Sequence, residues 1–154
     1  MAKWSLDLSQ YADRTTKDMK KVRKAFAFAL YSSIVQKTPK DTGRAQGNWN
    51  VSVGKEDSSV NPSQVTPKYT QISQMPEPSG DEPIYISNNL PYIATLEFGG
   101  YPDPVKKGTW NKKKKQYEIR SQGGFSKRAP EGMVGVTIAN KDNIFESACR
   151  SVKE

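Results

Sequence analysis

The chain contains no histidine and one cysteine, Cys149. A Ser-His-Asp or Cys-His relay within one chain is therefore excluded, as are His-containing metal sites and Cys-rich zinc sites. Catalysis would have to rest on carboxylates, lysines or tyrosines, without the side chain most used for proton transfer. "VSVGKE", Val51 to Glu56, has the Gly-Lys pair of a phosphate loop. That loop also needs Gly at 49 and Ser or Thr at 56, where this chain has Trp49 and Glu56, so it is rejected. No catalytic residue, metal ligand or cofactor is assigned, and the chain is not expected to be an enzyme. One cysteine also rules out an internal disulfide and suits a reducing compartment.

What remains is charge. The net charge of +8 implies a basic surface and an acidic partner, either nucleic acid or protein. Lys112, Lys113, Lys114 and Lys115 repel one another and must stand in water or on an anion. With Trp110 and Tyr117 nearby they also suit contact with single-stranded nucleic acid, although no nucleic-acid motif surrounds them. A second cluster, Lys17, Lys20, Lys21, Arg23 and Lys24, is either a solvated helix surface or a DNA contact.

The elements that must position these residues can be read from periodicity. Residues 9–37 read as one long helix, with Met19, Val22, Phe26, Leu30 and Ile34 on one face. It should stop at Lys37 or Thr38, because Pro39 disfavours helical geometry before it. Asp41-Thr42-Gly43 signals a turn. Trp49, Val51 and Val53 then alternate with Asn48, Asn50 and Ser52, which predicts a strand with one wet face. Residues 55–83 carry five prolines and few large apolar side chains. They read as a mobile surface loop or as an arm ordered against a neighbouring subunit, with short strand pieces around Tyr69 to Ile72. Ile84 and Ile86 mark a second strand. "NNLPYIATLEFGGY" follows as a short apolar helix, entered at Pro91 and stopped at Gly99. Glu97, its only charge, either faces water or pairs with Arg44 or Arg128. Residues 101–128 predict a hairpin: Val105 to Trp110, a turn at Asn111-Lys112, then Gln116 to Arg120. Val134, Val136 and Ile138 alternate as a third strand. Asn140 would cap a final helix that buries Ile144, Phe145 and Ala148, with Cys149 as a small buried side chain.

The fold expected is α+β in one domain, 1–154. A long N-terminal helix packs on a small mixed or antiparallel sheet, with a short central helix, a C-terminal helix and two extended inserts, 55–83 and 101–128. The apolar fraction of 34% is below the usual ~45–50%, so part of the chain should lie outside any core. The start "MAKWSLDLSQ" has no apolar signal core and no run approaches a membrane span, so neither secretion nor a membrane partner is expected.

Three segments, in this order, resemble the tailed-bacteriophage morphogenesis proteins of the neck and tail-completion group. The first carries Thr38, Pro39, Asp41, Thr42, Gly43 and Arg44. The second carries Asn88, Pro91, Tyr92, Leu96, Glu97, Phe98 and Gly99. The third carries Ala129, Pro130, Gly132 and Met133. The resemblance runs end to end except for the two inserts, whose length and Lys-rich hairpin depart from it. It implies a virion structural protein, made in the host bacterial cytoplasm and located at the head-tail junction. Such a subunit forms a homo-oligomeric ring, joins or closes the tail tube, contacts adjacent neck, connector or tail-tube proteins and lets double-stranded DNA pass without sequence specificity. Head-to-tail contacts that close make rings. Under this reading Tyr101, Trp110 and Lys112 to Lys115 are inter-subunit or inter-ring contacts, and the hairpin faces an acidic adjacent ring. Ile93, Leu96 and Phe98 would pack under the first helix, while Tyr92 and the Gly99-Gly100-Tyr101 exit orient the insert. The alternative is a basic nucleic-acid-binding module.

Overall fold

The computed structural model describes residues 8–103 and 107–153, and the architecture is α+β. Helix α1 spans Leu8–Lys37. It stops where expected, and its last carbonyls find partners. Thr38 Oγ1 donates to Ile34 O at 2.7 Å, while the Gln46 amide donates to Val35 O at 3.1 Å and Thr38 O at 3.0 Å. A helix end buried in the core needs such donors.

The apolar stripe of α1 proves to be two faces. Ala27, Tyr31, Ile34 and Val35 are buried in the core. Phe26 points elsewhere and meets Phe145 edge-on, with ring centroids 5.3 Å apart. Met19, expected inside, is 62% exposed. The core-facing set begins only at Ala27, one step round the helix from the stripe that the periodicity picked out.

After a single helical turn, α2 at Arg44–Gly47, strand β1 at Asn50–Val53 pairs antiparallel with β2 at Ile84–Ser87. Asn50 stands opposite Ser87, and Val53 opposite Ile84. Between the two strands, residues 55–83 are laid onto the chain's own body, and Tyr69–Ser73 is a helical turn, α3, where short strand pieces were expected. Ile72 is buried and Tyr69 stacks edge-on to Tyr31 at 5.6 Å. The wet face expected for β1 is also covered. Asn48 and Asn50 are 1% and 3% exposed, because they hold the insert. Asn48 Nδ2 donates to Arg44 O and to Asn61 O, both at 2.9 Å, and its Oδ1 accepts the Asn61 N–H at 2.8 Å. Asn50 Nδ2 donates to Ser59 O at 3.1 Å. Buried amides are tolerable because each donor and acceptor is used.

Helix α4, Ile93–Phe98, ends at Gly99 as expected, with Pro91 two residues ahead of its first turn. The Lys-rich hairpin pairs β3, Thr109–Asn111, with β4, Gln116–Glu118. Its expected start at Val105 lies outside the described residues; Lys107 and Gly108 precede the strand, and the turn falls on Lys112 to Lys115 where Asn111-Lys112 was expected, because Asn111 pairs with Gln116 in the ladder. A smaller hairpin joins β5, Ser121–Gln122, to β6, Phe125–Ser126.

The third strand expected at Val134 to Ile138 is instead helix α5, Val134–Ala139. Thr137 is fully buried while Ile138 is 52% exposed, a helical rather than an alternating pattern. Helix α6, Lys141–Lys153, follows and lies along α1. Asn140 sits between the two helices, and its Oδ1 accepts from the Asn143 amide at 2.7 Å. Ala148 is buried, but Cys149 is half-buried and Phe145 is 46% exposed despite its contact with Phe26. Among the described residues no helix is long and apolar enough to cross a membrane.

Candidate functional site

The segments that carry the resemblance lie far apart in the chain and meet in the fold, each tied to the next by a side chain that bonds backbone. The first segment is a tight turn. Gly43 has φ +92°, and a Cβ there would stand 2.2 Å from the Val65 carbonyl oxygen, so only glycine lets the insert lie this close. Arg44 follows and donates through Nε to Pro62 O at 3.0 Å. Thr42 Oγ1 accepts the Arg44 N–H at 3.3 Å. Thr38 is buried and receives the indole N–H of Trp49 at 2.9 Å.

The second segment is tied to the first by Asn88, whose Nδ2 donates to Ala45 O at 2.9 Å while its Oδ1 accepts the Leu90 N–H at 3.2 Å. Leu96 sits in the core beside Leu90. Glu97 has neither of the environments expected for it. Its Oε2 accepts the N–H groups of Met133 at 2.7 Å and Val134 at 2.8 Å, and its Oε1 accepts that of Gly135 at 2.8 Å. The carboxylate thus caps α5 from another part of the chain, where a negative charge suits the free N–H groups and the helix dipole.

Gly132 makes that approach possible. It has φ +79°, and a Cβ would lie 2.5 Å from Glu97 O. Met133 and Ala129 are buried, and Arg128 closes the circuit by donating to Lys40 O, next to the first segment. Pro39, Asp41, Pro91 and Pro130 occupy the turns; Asp41 is exposed and pairs with Arg120 at 3.5 Å. Most of the motif residues therefore hold the fold together; Tyr92 and Phe98 do not.

Two surfaces remain outward. Phe98, expected beneath α1, is 80% exposed. It ends α4 two residues past Leu96, about 200° round the helix, so it points away while Leu96 points in. Tyr92 is also partly exposed. The hairpin carries the second surface: Trp110 and Tyr117 stand opposite each other across the strands, edge-on at 5.0 Å, and both are exposed. Its turn is built by Asn111, whose Oδ1 accepts the N–H groups of Lys113 and Lys114, and by Glu118, which pairs with Lys114 at 2.8 Å and accepts from the Asn111 amide at 2.8 Å. The Lys114 ammonium first, and then the Asn111 amide, hold the Glu118 carboxyl down to about 2. Lys112, Lys113 and Lys115 point into solvent with no carboxylate partner among the described residues. Tyr101 differs from these. It packs on the core, its backbone N–H donates to Gly124 O at 3.0 Å, and burial pushes its phenol up. Sequence patterning missed the residues that fasten the first insert: Asn48, Asn50, Arg23, which donates to the carbonyls of Gly80 and Glu82, and Tyr31, whose hydroxyl accepts the Lys68 N–H at 2.8 Å. The one available signal was the insert's length, since so many residues with few apolar side chains need polar anchors. Compared with known proteins, the chain matches no family model, no curated protein and no solved structure.

Proposed function

We propose that the chain is a structural virion subunit. It forms a homo-oligomeric ring at the head-tail junction of a tailed phage, joins or closes the tail tube and lets double-stranded DNA pass. The observation that carries this reading is the convergence of the three resembling segments. Asn88 ties the second to the first, Glu97 ties the second to the third, and Arg128 ties the third back to the first. A resemblance scattered by chance along the sequence has no reason to assemble into one stapled unit.

The reading assigns contact to what faces outward. Residues 55–83 are held by their own chain, so they are not the arm that a neighbour must order. Trp110 with Lys112, Lys113 and Lys115 on the projecting hairpin, and Phe98 at the end of α4, have no such intramolecular duty. Aromatic side chains anchor interfaces, and a rim of like charge selects an acidic partner. Tyr101 packs on the core, so its loss perturbs the monomer as well as any interface.

The experiment is light scattering and negative-stain microscopy of the purified chain, alone and with capsid and tail particles of a tailed phage. Rings, or stable addition to such particles, are the expected result. Charge reversal of Lys112, Lys113 and Lys115, which leaves the Lys114–Glu118 pair in place, and Phe98→Ser should weaken assembly without lowering the melting temperature, because exposed sites cost within about 0.5 kcal/mol. A chain of 17.2 kDa that stays monomeric in every mixture and joins no particle overturns the proposal.

A further inference from the structure

The first half of α1 carries a charge arrangement that no ion pair among the described residues uses. At 100° per residue, Arg14, Lys17, Lys20, Lys21 and Lys24 fall within an arc of about 120°. Arg14, Lys17, Lys21 and Lys24 follow one another at steps of three, four and three, a line of cations about 15 Å long. Arg14, Lys17 and Lys21 are exposed, and Lys20 and Lys24 are half-exposed. None of the five enters an ion pair among the described residues. Arg23, on another face, is the cation of this stretch that the fold consumes, through the carbonyls of Gly80 and Glu82. Helix α6 lies along α1 and meets it at Phe26, which stands about opposite the middle of the arc, while Arg14, Lys17 and Lys21 on the arc are exposed. At its lower end lies a shallow cleft of about 260 Å³ lined by Lys21, Lys24, Ala25, Phe28, Ser73 and Glu77. Among the residues whose side chains are described, two carboxylates bear on the stripe: Glu77 across that cleft, and Asp18 just outside the arc; by the same count the position of Asp13 also falls within the arc.

The chemistry of the stripe selects its partner. Protein interfaces have apolar or aromatic centres and are depleted in lysine, and no apolar residue lies on this arc between Arg14 and Lys24. Single-stranded nucleic acid needs aromatic platforms for its bases; the arc carries none between Arg14 and Lys24, and Phe28 beyond it is half-buried against Tyr69. A duplex presents a continuous line of phosphates that asks only for cations in a row. We infer that this flank of α1 binds the phosphate backbone of double-stranded DNA without sequence preference. The inference rests on the charge geometry of α1 alone and does not require a ring.

The test is fluorescence anisotropy of the purified full chain with a labelled duplex of about 20 base pairs, titrated between about 50 and 200 mM salt. Four phosphate contacts predict a slope of log K against log salt near −3.6, a loss of about 150-fold over that range. The chain carrying Arg14→Gln, Lys17→Gln, Lys21→Gln and Lys24→Gln should lose nearly all of that slope. The chain carrying Gln at 112–115 has the same net charge and should keep it to within about one unit. Lys17→Arg, Lys21→Arg and Lys24→Arg together should bind as the natural chain does, which guards against a folding artefact. Glu77→Gln should tighten binding. The inference is overturned if the natural chain does not bind at the lowest salt, if both glutamine variants lose slope equally, or if polyglutamate competes as well as duplex. Ring formation is scored separately by microscopy, so failure here leaves the assembly proposal standing, and the reverse.

Discussion

Replacing Glu97 tests the contact on which the convergence of the segments depends. Its two oxygens accept three N–H groups at 2.7 to 2.8 Å. Two of these, on Met133 and Val134, lie against the fully buried Met133, while Gly135 is exposed. Glu97→Ala removes both oxygens. Each of the two shielded N–H groups left without a partner costs about 1.5 kcal/mol, within the ~1–3 kcal/mol of a stranded buried donor, and the exposed one is taken over by water, so the total is about 3 kcal/mol. The sum of a lost cap, ~0.5–2 kcal/mol, and a lost charge at a helix start, ~0.3–1 kcal/mol, reaches the same range. Glu97→Gln keeps one oxygen that can serve Met133 and Val134 as Oε2 does, and loses only the charge and the Gly135 bond, about 1 kcal/mol. Urea unfolding followed by far-ultraviolet circular dichroism resolves these values. Thermal melts should show a fall of about 6–12 °C for the alanine variant, given ~2–4 °C per kcal/mol for a chain of this size. If the alanine variant falls within about 0.5 kcal/mol of the natural chain, or glutamine is as damaging as alanine, Glu97 is not acting as a cap and the link between the second and third segments fails.

Three further outcomes follow from the same geometry. Tyr31→Phe strands the Lys68 N–H that the Tyr31 hydroxyl now accepts at 2.8 Å; the expected loss is about 1–3 kcal/mol in urea unfolding, and a loss near zero shows that water reaches this N–H. Gly43→Ala places a Cβ 2.2 Å from Val65 O at φ +92°. It should cost at least ~2 kcal/mol and speed limited proteolysis between residues 55 and 67, whereas an unchanged digestion pattern means that the insert is not held at this turn. The Glu118 carboxyl, held down to about 2 from 4.5 by Lys114 and Asn111, stabilises the hairpin fully above the unfolded value. That support fades as pH falls from about 4.5 through 2. Carbon-detected titration should place this carboxyl well below the ordinary carboxylate range, and Lys114→Ala should raise it; a midpoint near 4.5 in the natural chain refutes the pairing.

What the sequence made legible follows from which interactions leave a period. The bounds of α1, the two paired strands, the stop of α4 at Gly99 and the hairpin turn each come from apolar spacing or from residues with a backbone requirement. Helix α5 did not, because Val134, Val136 and Ile138 alternate like a strand. Its state is decided by Glu97, 36 residues upstream, whose carboxylate supplies the cap that a six-residue segment lacks locally. The first insert misled for a related reason. Its fastening is polar and non-periodic: Asn48 and Asn50 beneath it, Arg23 and Tyr31 beside it, each bonding a main-chain group. Main-chain donors and acceptors occur at every residue, so the partner in such a bond has no sequence signature, and only the side chain that reaches for it can be read. That is why nothing in the sequence marks Asn88, Glu97 and Arg128 as the pins that they are in the fold. A polar residue recurring beside an obligatory glycine, as Arg44 stands beside Gly43 and Glu97 against Gly132, marks a place where one stretch of backbone is brought against another. Function must then be sought on what those pins leave outside: the hairpin, Phe98 and the cationic flank of α1.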